Sequence, residues 1–376
     1  MMKKLKLILM GLLVLGLVAP ALGVDFEFHG DMNNRFLVYT NRNDWLSPEQ
    51  QGQINRSTID DEYGELKYRF WTEIGDDEDN IKGVYAIEIG GVRFGRTGSG
   101  KSEGGSFSGD AVNVETRWAY LDFQLPFIES KFRPRIGLQP FNVNRYLWQE
   151  TIAGVAIDAQ PTDSIGYQLA WMRGVDDLAT DDSNKDIEDQ DNFLGRLNWK
   201  PSDNLKGGVF ALYQLGDPDA QSPAEFGILE PRSYEFKQFA GDAKVGVWNL
   251  GVDGTYKFNN FFVNWDLIYQ TGDIDDVVWD DSEFSGVTAS GDFDLSAYFA
   301  HVDLGLNAGK ATFTYTFWYA SGDDDPSDDD FEGYLSTDVD IDDNWTLFEG
   351  PYADDVTYFT ERPYMLDKGF IMNKIA

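Results

Sequence analysis

Cysteine is absent from all 376 residues, and that removes several chemistries at once. No disulfide framework stiffens a small exported scaffold, and no thiolate is available for zinc or as a nucleophile. Covalent haem attachment through C-x-x-C-H is also excluded, so in any electron-transfer role another chain carries the haem. Positive charge is scarce: 30 Lys and Arg stand against 65 Asp and Glu, a formal net charge of −35. Nucleic acid is therefore disfavoured as a partner, because phosphates need Lys and Arg. The excess reads as a solvated acidic exterior, with divalent-cation binding at a cell surface as the sharper alternative. Histidine occurs only twice, as His29 and His301.

Long hydrophobic runs are lacking beyond the first two dozen residues. Lys3, Lys4 and Lys6 precede an apolar run from Leu7 to Val18, and Ala21-Leu22-Gly23 supplies small residues before Val24. This pattern predicts a secretory signal peptide over 1–23, cleaved before Val24; as an uncleaved anchor the run is short. After Val24 no stretch of about 18 apolar residues follows, which excludes a helical membrane protein. Aromatics nevertheless make up 15% of a chain whose mean hydropathy is −0.39. Strands with one face in lipid and the other in water have that composition.

Helical periodicity is scarce, whereas period-2 alternation recurs. In 261–271, Val263, Trp265, Leu267 and Tyr269 share a face opposite Asn264, Asp266 and Gln270. In 310–320, Ala311, Phe313, Tyr315, Phe317 and Tyr319 oppose Thr312, Thr314 and Thr316. In 64–75, Leu66, Tyr68, Phe70 and Ile74 oppose Glu65, Lys67, Arg69 and Glu73. A soluble β-sandwich gives the same alternation, with the apolar face as its core.

The connections separate the two readings. Strands are expected near 25–39, 63–75, 81–94, 111–125, 131–142, 150–159, 163–173, 191–200, 204–215, 244–258, 261–271, 294–308 and 310–321. Long links at 40–62, 95–110, 174–190, 216–243 and 272–293, with a shorter one near 143–149, alternate with tight ones at 76–80, 126–130, 160–162, 201–203, 259–260 and Gly309. Turn chemistry supports the tight set. Such alternation is what an up-and-down barrel across an outer membrane needs, with short turns periplasmic and long loops outside. Greek-key sandwiches have no reason to keep it. The acidic runs, including Asp176 to Glu188, Asp273 to Asp281 and Asp323 to Asp330, then all fall on the outer side.

The expected fold is an all-β transmembrane antiparallel up-and-down β-barrel over 24–376, about 16 strands when complete and about 13 in this chain. Bacterial single-chain barrels have even strand numbers, and residues after Ser321 offer no complete strand, so the chain reads as C-terminally truncated; strands overlooked in 322–376 are the alternative.

Three stretches carry a family resemblance: Phe26-Glu27-Phe28-His29-Gly30-Asp31, Trp118-Ala119-Tyr120-Leu121-Asp122-Phe123 and Arg135-Ile136-Gly137-Leu138-Gln139-Pro140, the last followed by Gly154-Val155-Ala156-Ile157-Asp158. Together they resemble the opening strand and strand-turn-strand units of the Gram-negative outer-membrane porin superfamily, of general-diffusion and alginate-export-like type. The resemblance is diffuse and spans most of the mature chain. It implies an outer-membrane porin, a passive diffusion channel for small polar solutes or ions, often trimeric, with lipid and lipopolysaccharide around it. Two departures stand out. The third long link, which folds inward in general porins, is short here, and the C-terminal aromatic is absent.

Several residue groups bear on chemistry. Lys131, Arg133 and Arg135 alternate along one strand; with Lys67, Arg69, Glu73, Glu88, Asp253, Asn264 and Asp266 they are the candidate pore lining, where charges of both signs orient polar solutes. Their alternative is an ordinary solvated wall. Trp265, Tyr269, Phe313, Tyr315, Phe317 and Tyr319 are candidate lipid contacts and interface girdles. Residues 95–102, Gly-Arg-Thr-Gly-Ser-Gly-Lys-Ser, match the P-loop pattern formally, but Glu-Gly-Gly-Ser-Phe-Ser-Gly-Asp follows where a helix is required, so they read as a flexible loop. His301 shares a strand face with Asp303 without an identifiable nucleophile, which makes it a plain lumen histidine. Asp323, Asp325, Asp328 and Asp330 offer oxygens of the kind Ca²⁺ prefers, in a spacing unlike an EF-hand. No cofactor is implied and no enzyme is expected. The rival readings are a barrel sheathing a periplasmic partner such as a cytochrome, an outer-membrane hydrolase, and a secreted carbohydrate-binding β-sandwich.

Overall fold

The computed structural model describes residues 24–39, 61–95, 112, 114–175, 190–216, 244–281, 287–325, 328–334, 337 and 370–375. The leader at 1–23, the glycine–serine run from Arg96 onward, the acidic run from Asp176 to Glu188 and that from Asp338 to Asp343 lie outside these residues. The chain divides into two units, 1–123 and 124–376.

Unit 1 is a meander of β1 (Val24–Tyr39), β2 (Asp61–Asp76), β3 (Ile81–Arg93) and β4 (Val114–Phe123), each antiparallel to the next. Its tight turn follows from Asp chemistry. The Asp76 carboxylate accepts the amides of Asn80 and Ile81 at 2.6 and 3.1 Å, while Asp79 takes a positive φ of 55°, a conformation that short polar side chains tolerate.

Unit 2 holds β5 (Lys131–Asn144), β6 (Trp148–Thr162), β7 (Ile165–Val175), β8 (Gln190–Ser202), β9 (Leu205–Gly216), β10 (Lys244–Phe258), β11 (Phe261–Asp281), β12 (Val287–Ala308), β13 (Ala311–Ala320), the short β14 (Asp330–Phe331) and β15 (Phe370–Ile375). From β5 to β13 every strand pairs antiparallel with its sequence neighbour, and β15 adds to β13. Asn259 (φ 52°) and Gly309 (φ 67°) close two of the tight turns. The described chain is all-β and up-and-down, as the alternation predicts.

Three differences from the sequence reading have physical causes. The count of about thirteen strands omits β15: its six residues, Phe-Ile-Met-Asn-Lys-Ile, are too few for alternation to stand out, and register with β13 fixes them. The 272–293 segment, read as a loop carrying Asp273 to Asp281, is mostly strand. β11 runs to Asp281 and β12 starts at Val287, paired through a bulge between Ile274 and Val277; the Val277-Val278-Trp279 run favours strand over loop despite its acidic neighbours. Finally, the 143–149 link is a three-residue turn, because β5 and β6 continue to Asn144 and from Trp148.

The distribution of polarity over the two faces decides what kind of sheet this is. Large apolar side chains stand out into the surroundings: Phe28 is 79% and Phe36 78% exposed in unit 1, with Met32, Tyr85 and Leu121 on the same side. In unit 2 the row includes Leu169, Trp199, Val209, Trp248, Leu267, Tyr269, Tyr298 and Phe313. The opposite face of unit 2 carries the buried amides Asn192, Gln214, Asn249 and Gln270, each at most 1% exposed. A soluble sandwich would have these reversed. Among the described residues, the alternating aromatic rows face outward and are not pressed into a dry interior.

Candidate functional site

The site of unit 2 grows from the end of β5. Asn144 makes the turn: its side-chain oxygen accepts the Tyr146 amide at 2.9 Å, and its carbonyl accepts the Leu147 amide at 3.1 Å. This Asx geometry turns the chain over the polar face of the sheet. Tyr146 and Leu147 are buried there, the Tyr146 ring centre lying 4.9 Å from Phe299, 4.7 Å from His301 and 5.2 Å from Trp318.

A second piece covers the same face. Beyond β13, the Ser321 hydroxyl donates to the Glu332 carbonyl at 2.6 Å and the Tyr334 amide donates to the Ser321 carbonyl at 2.9 Å. Between them β14 runs parallel to β12, with Phe331 opposite Leu295. The two pieces then clasp: the Tyr334 hydroxyl donates to the Tyr146 carbonyl and the Thr337 amide to the Leu147 carbonyl, both at 2.8 Å. This return strap and the turn explain why Leu212, Val247, Ile268, Leu295, Phe299 and Trp318 are apolar and buried on the face that is otherwise polar.

Beside that apolar patch runs a ladder of amides. Gln270 donates to Asn249 at 2.6 Å, Asn249 to Gln214 at 2.7 Å, and Gln214 to the Thr337 hydroxyl at 3.0 Å. Buried amides must find such partners, since an unpaired one costs about 1–3 kcal/mol.

Toward the tight-turn end the face opens into a cavity of about 840 Å³ with charged walls. Arg196 forks onto Asp253 with two bonds of 2.7 Å and also donates to the Val143 carbonyl at 3.1 Å. Asn144 donates to Asp266 at 2.7 Å. His301 lies between two carboxylates, Nδ1 at 2.7 Å from Asp266 and Nε2 at 3.1 Å from Asp303. Asp303 further accepts from Thr316 at 2.6 Å and Asn264 at 3.1 Å. Thus Asp253, Asn264 and Asp266, three of the candidate lining residues, converge around a histidine. Arg135 pairs with Asp158 at 2.9 Å; Arg133 is buried and Lys131 exposed on the same strand.

Unit 1 gathers its charges separately. Glu88 receives Lys67 at 3.2 Å, Arg69 at 2.8 Å and Arg117 at 2.6 Å. Glu73 pairs with Lys82 at 2.8 Å, and Arg35 with Glu65. Lys67, Arg69 and Glu88 are therefore brought together, and Glu73 is not part of that cluster.

The aromatic candidates Trp265, Tyr269, Phe313, Tyr315, Phe317 and Tyr319 all fall on the outward face. Tyr298 stacks on Tyr319 and Tyr213 on Trp248, with ring centres 5.5 and 4.6 Å apart. Trp265 lies across Gly254, where a side chain would collide with its ring. In the run Asp323, Asp325, Asp328 and Asp330, the Asp325 amide donates to Asp323 and the Asp330 amide to Asp328, and among the described residues no group of three or more acidic or histidine side chains is arranged to hold a metal ion.

Asp323 instead makes the strap sensitive to pH. Burial pushes its carboxyl up to about 6, against the 2-residue bond from the Asp325 amide and with added repulsion from Asp328, Glu332 and Asp324. A raised carboxylate pKa favours the docked strap while the group is protonated. That advantage is lost as pH rises from the ordinary carboxylate range through about 6. Hydrogen exchange at the Tyr334 amide is expected to be slower, relative to its intrinsic rate, at pH 5 than at pH 7.5, and Asp323→Asn is expected to flatten that dependence.

Arg196, Tyr146, Tyr334, Thr337 and Trp318 were not singled out by sequence. The one local signal was the run Tyr146-Leu147-Trp148, too apolar for a solvated turn.

Among solved structures, the chain is similar to Acinetobacter baumannii OccAB1 (9% identity, 79% of this chain and 65% of that one, TM-score 0.45). It is similar also to a BenF-like porin from Pseudomonas fluorescens Pf-5 (9%, 84% and 69%, 0.45) and to the outer membrane channel DcaP of Acinetobacter baumannii (13%, 80% and 92%, 0.33). The chain spans about two thirds of the length of the first two. No family model and no curated protein matches.

Proposed function

We propose that this chain is a channel of the outer membrane, a β-barrel that lets small polar solutes or ions diffuse passively through a water-filled lumen. The observation that carries the reading is the inverted polarity of the strands: exposed Phe28, Phe36, Trp248, Tyr269 and Phe313 on one face, and charged pairs with buried amides on the other. Lipid makes such an exposed row favourable, at about 25 cal/mol per Å² removed from water. On β11 the apolar row from Phe261 to Tyr269 covers eight steps, or about 27 Å along the strand, which a strand tilt of 35–45° brings near the height of a membrane band. Lipid also requires closure, because open sheet edges in hydrocarbon leave backbone groups unpaired.

In this reading Lys67, Arg69, Glu73, Glu88, Lys131, Arg133, Arg135, Asp253, Asn264 and Asp266 line the lumen, and Trp265, Tyr269, Phe313, Tyr315, Phe317 and Tyr319 contact lipid. The leader at 1–23 exports the chain, the acidic outer segments share divalent ions with lipopolysaccharide, and three copies assemble. Selection is by size and by wall charges of both signs. Hydrolysis at His301 is disfavoured, since both ring nitrogens face carboxylates and neither is left to activate a hydroxyl.

Folded protein added to a planar lipid bilayer should give discrete conductance steps. Silence from protein shown to be folded by its β-rich circular dichroism, or solubility without detergent, would overturn the reading.

A further inference from the structure

His301 sits between two carboxylates, one at each ring nitrogen. One nitrogen of a neutral ring donates and the other carries a lone pair, so one of the two carboxylates would face that lone pair. Nδ1 is hydrogen-bonded to Asp266 at 2.7 Å and Nε2 lies 3.1 Å from Asp303, so the ring sits between two carboxylates that a charged imidazolium bridges and a neutral one does not. The charged ring also touches the inward turn twice: directly, through the Tyr146 ring at 4.7 Å, and indirectly, because the Asp266 carboxylate it orients is the one that receives Asn144 at 2.7 Å.

We propose that His301 is a positioning residue for the channel, an imidazolium pin that holds the Asn144–Leu147 turn against β10 to β12 and so keeps the passage narrow. This rests on the channel reading. When the ring loses its proton, Asp266 and Asp303 on adjacent strands lose their shared counter-charge, Asp266 swings from Asn144, and the turn lifts.

Charged and polar groups surround the pin on several elements. Asp266 comes from β11, Asp303 from β12 itself, and Asp253 with its Arg196 partner from β10 and β8. Thr316 and Trp318 come from β13 and do not titrate in this range. From the covering pieces come Arg145 and Tyr146, with Tyr334 bonded behind them. Among these, His301 is the one imidazole, the side-chain type that changes charge near neutrality. Three acids against two arginines make that single positive charge decisive.

The test compares wild type with His301→Gln, which keeps hydrogen bonding without charge, and His301→Lys, which keeps charge without a titration near neutrality. Single-channel conductance is read from pH 5 to pH 9, and amide exchange of Tyr146 and Leu147 is measured on the same proteins in detergent. Wild-type conductance should rise along a one-proton curve. The Gln variant should be pH-independent at the wide level and the Lys variant at the narrow one. Exchange at the two turn amides should be about tenfold faster in the Gln variant at pH 6, as expected for loss of a charged hydrogen bond. Unchanged turn exchange in the Gln variant, or a wild-type pH curve that survives it, overturns the pin. Exchange that follows the prediction in a protein that never conducts upholds the pin and overturns the channel. Should the Gln variant not fold, the wild-type pH dependence of turn exchange and the Lys variant decide alone.

Discussion

Arg196→Met is expected to destabilise the folded protein by about 2–3 kcal/mol, less than the roughly 3–5 kcal/mol of a fully buried pair because both side chains keep some exposure, and to shift ion preference toward cations. The reason lies in the strand register. Asp253 stands directly opposite Asp266 across β10 and β11, and Asp266 opposite His301 across β11 and β12. Like charges facing each other across a ladder are unfavourable, so this wall depends on its counter-charges. Arg196 supplies the largest share, with two 2.7 Å bonds to Asp253, and its guanidinium also sits 5.7 Å from the Phe210 ring. Methionine keeps much of that packing and removes the charge. Urea titration in detergent measures the stability change, and the reversal potential across a salt gradient measures the selectivity. Arg196→Met combined with Asp253→Asn should recover most of both losses. A single variant as stable as wild type with an unmoved reversal potential would show that the wall is solvated well enough to do without the pair.

The strands were legible in the sequence because a strand with unlike solvents on its faces must alternate, and their up-and-down order because long and short links alternate between them. Val263, Trp265, Leu267 and Tyr269 follow that rule, and so do Phe313, Tyr315, Phe317 and Tyr319 of β13. What alternation cannot report is which polar positions are covered. Gln270, Asn249 and Gln214 read like any water-facing side chain, yet they are buried because Thr337 arrives from more than sixty residues away in sequence from the nearest of them. Ile268, Leu295 and Trp318 break the polar run on the same face; in isolation each looks like noise, and only the strap and turn give them a partner.

The candidate site was half legible for a related reason. Lys67, Arg69 and Glu88 were found because they alternate on neighbouring strands, and cross-strand register brings Arg69 opposite Glu88. Arg117 completes the cluster from a bulge between Ala86 and Ile87, and a bulge changes side-chain direction in a way that strict period-2 counting misses. The turn was read from sequence only as a short outer link near 143–149, since nothing in its length shows which way it folds. Its direction is set by Asn144 and by aromatic partners on β12 and β13, none of them near in sequence. Shortness argued against an inward-folded loop on family grounds, yet packing against Phe299, His301 and Trp318 lays the turn over the polar face of the sheet.

Glu88→Gln should move selectivity the opposite way from Arg196→Met. The carboxylate holds three cations, Lys67 at 3.2 Å, Arg69 at 2.8 Å and Arg117 at 2.6 Å, and glutamine offers one oxygen with no charge. The wall gains one net positive charge where three basic groups already meet. The permeability ratio should shift toward anions by roughly twofold to threefold in dilute salt, and the shift should shrink near 1 M salt, where the screening length falls to about 3 Å. Stability should fall by only about 1 kcal/mol, since Lys67 and Arg69 remain more than a third exposed or nearly so and can turn to water. Glu73→Gln is the matched control. It removes the same charge from a simple pair with Lys82, so its effect should be smaller if convergence of cations matters more than total charge. Equal shifts from the two variants would mean that the lumen averages its wall charges, and a cation-ward shift from Glu88→Gln would mean that this face of unit 1 does not line the passage.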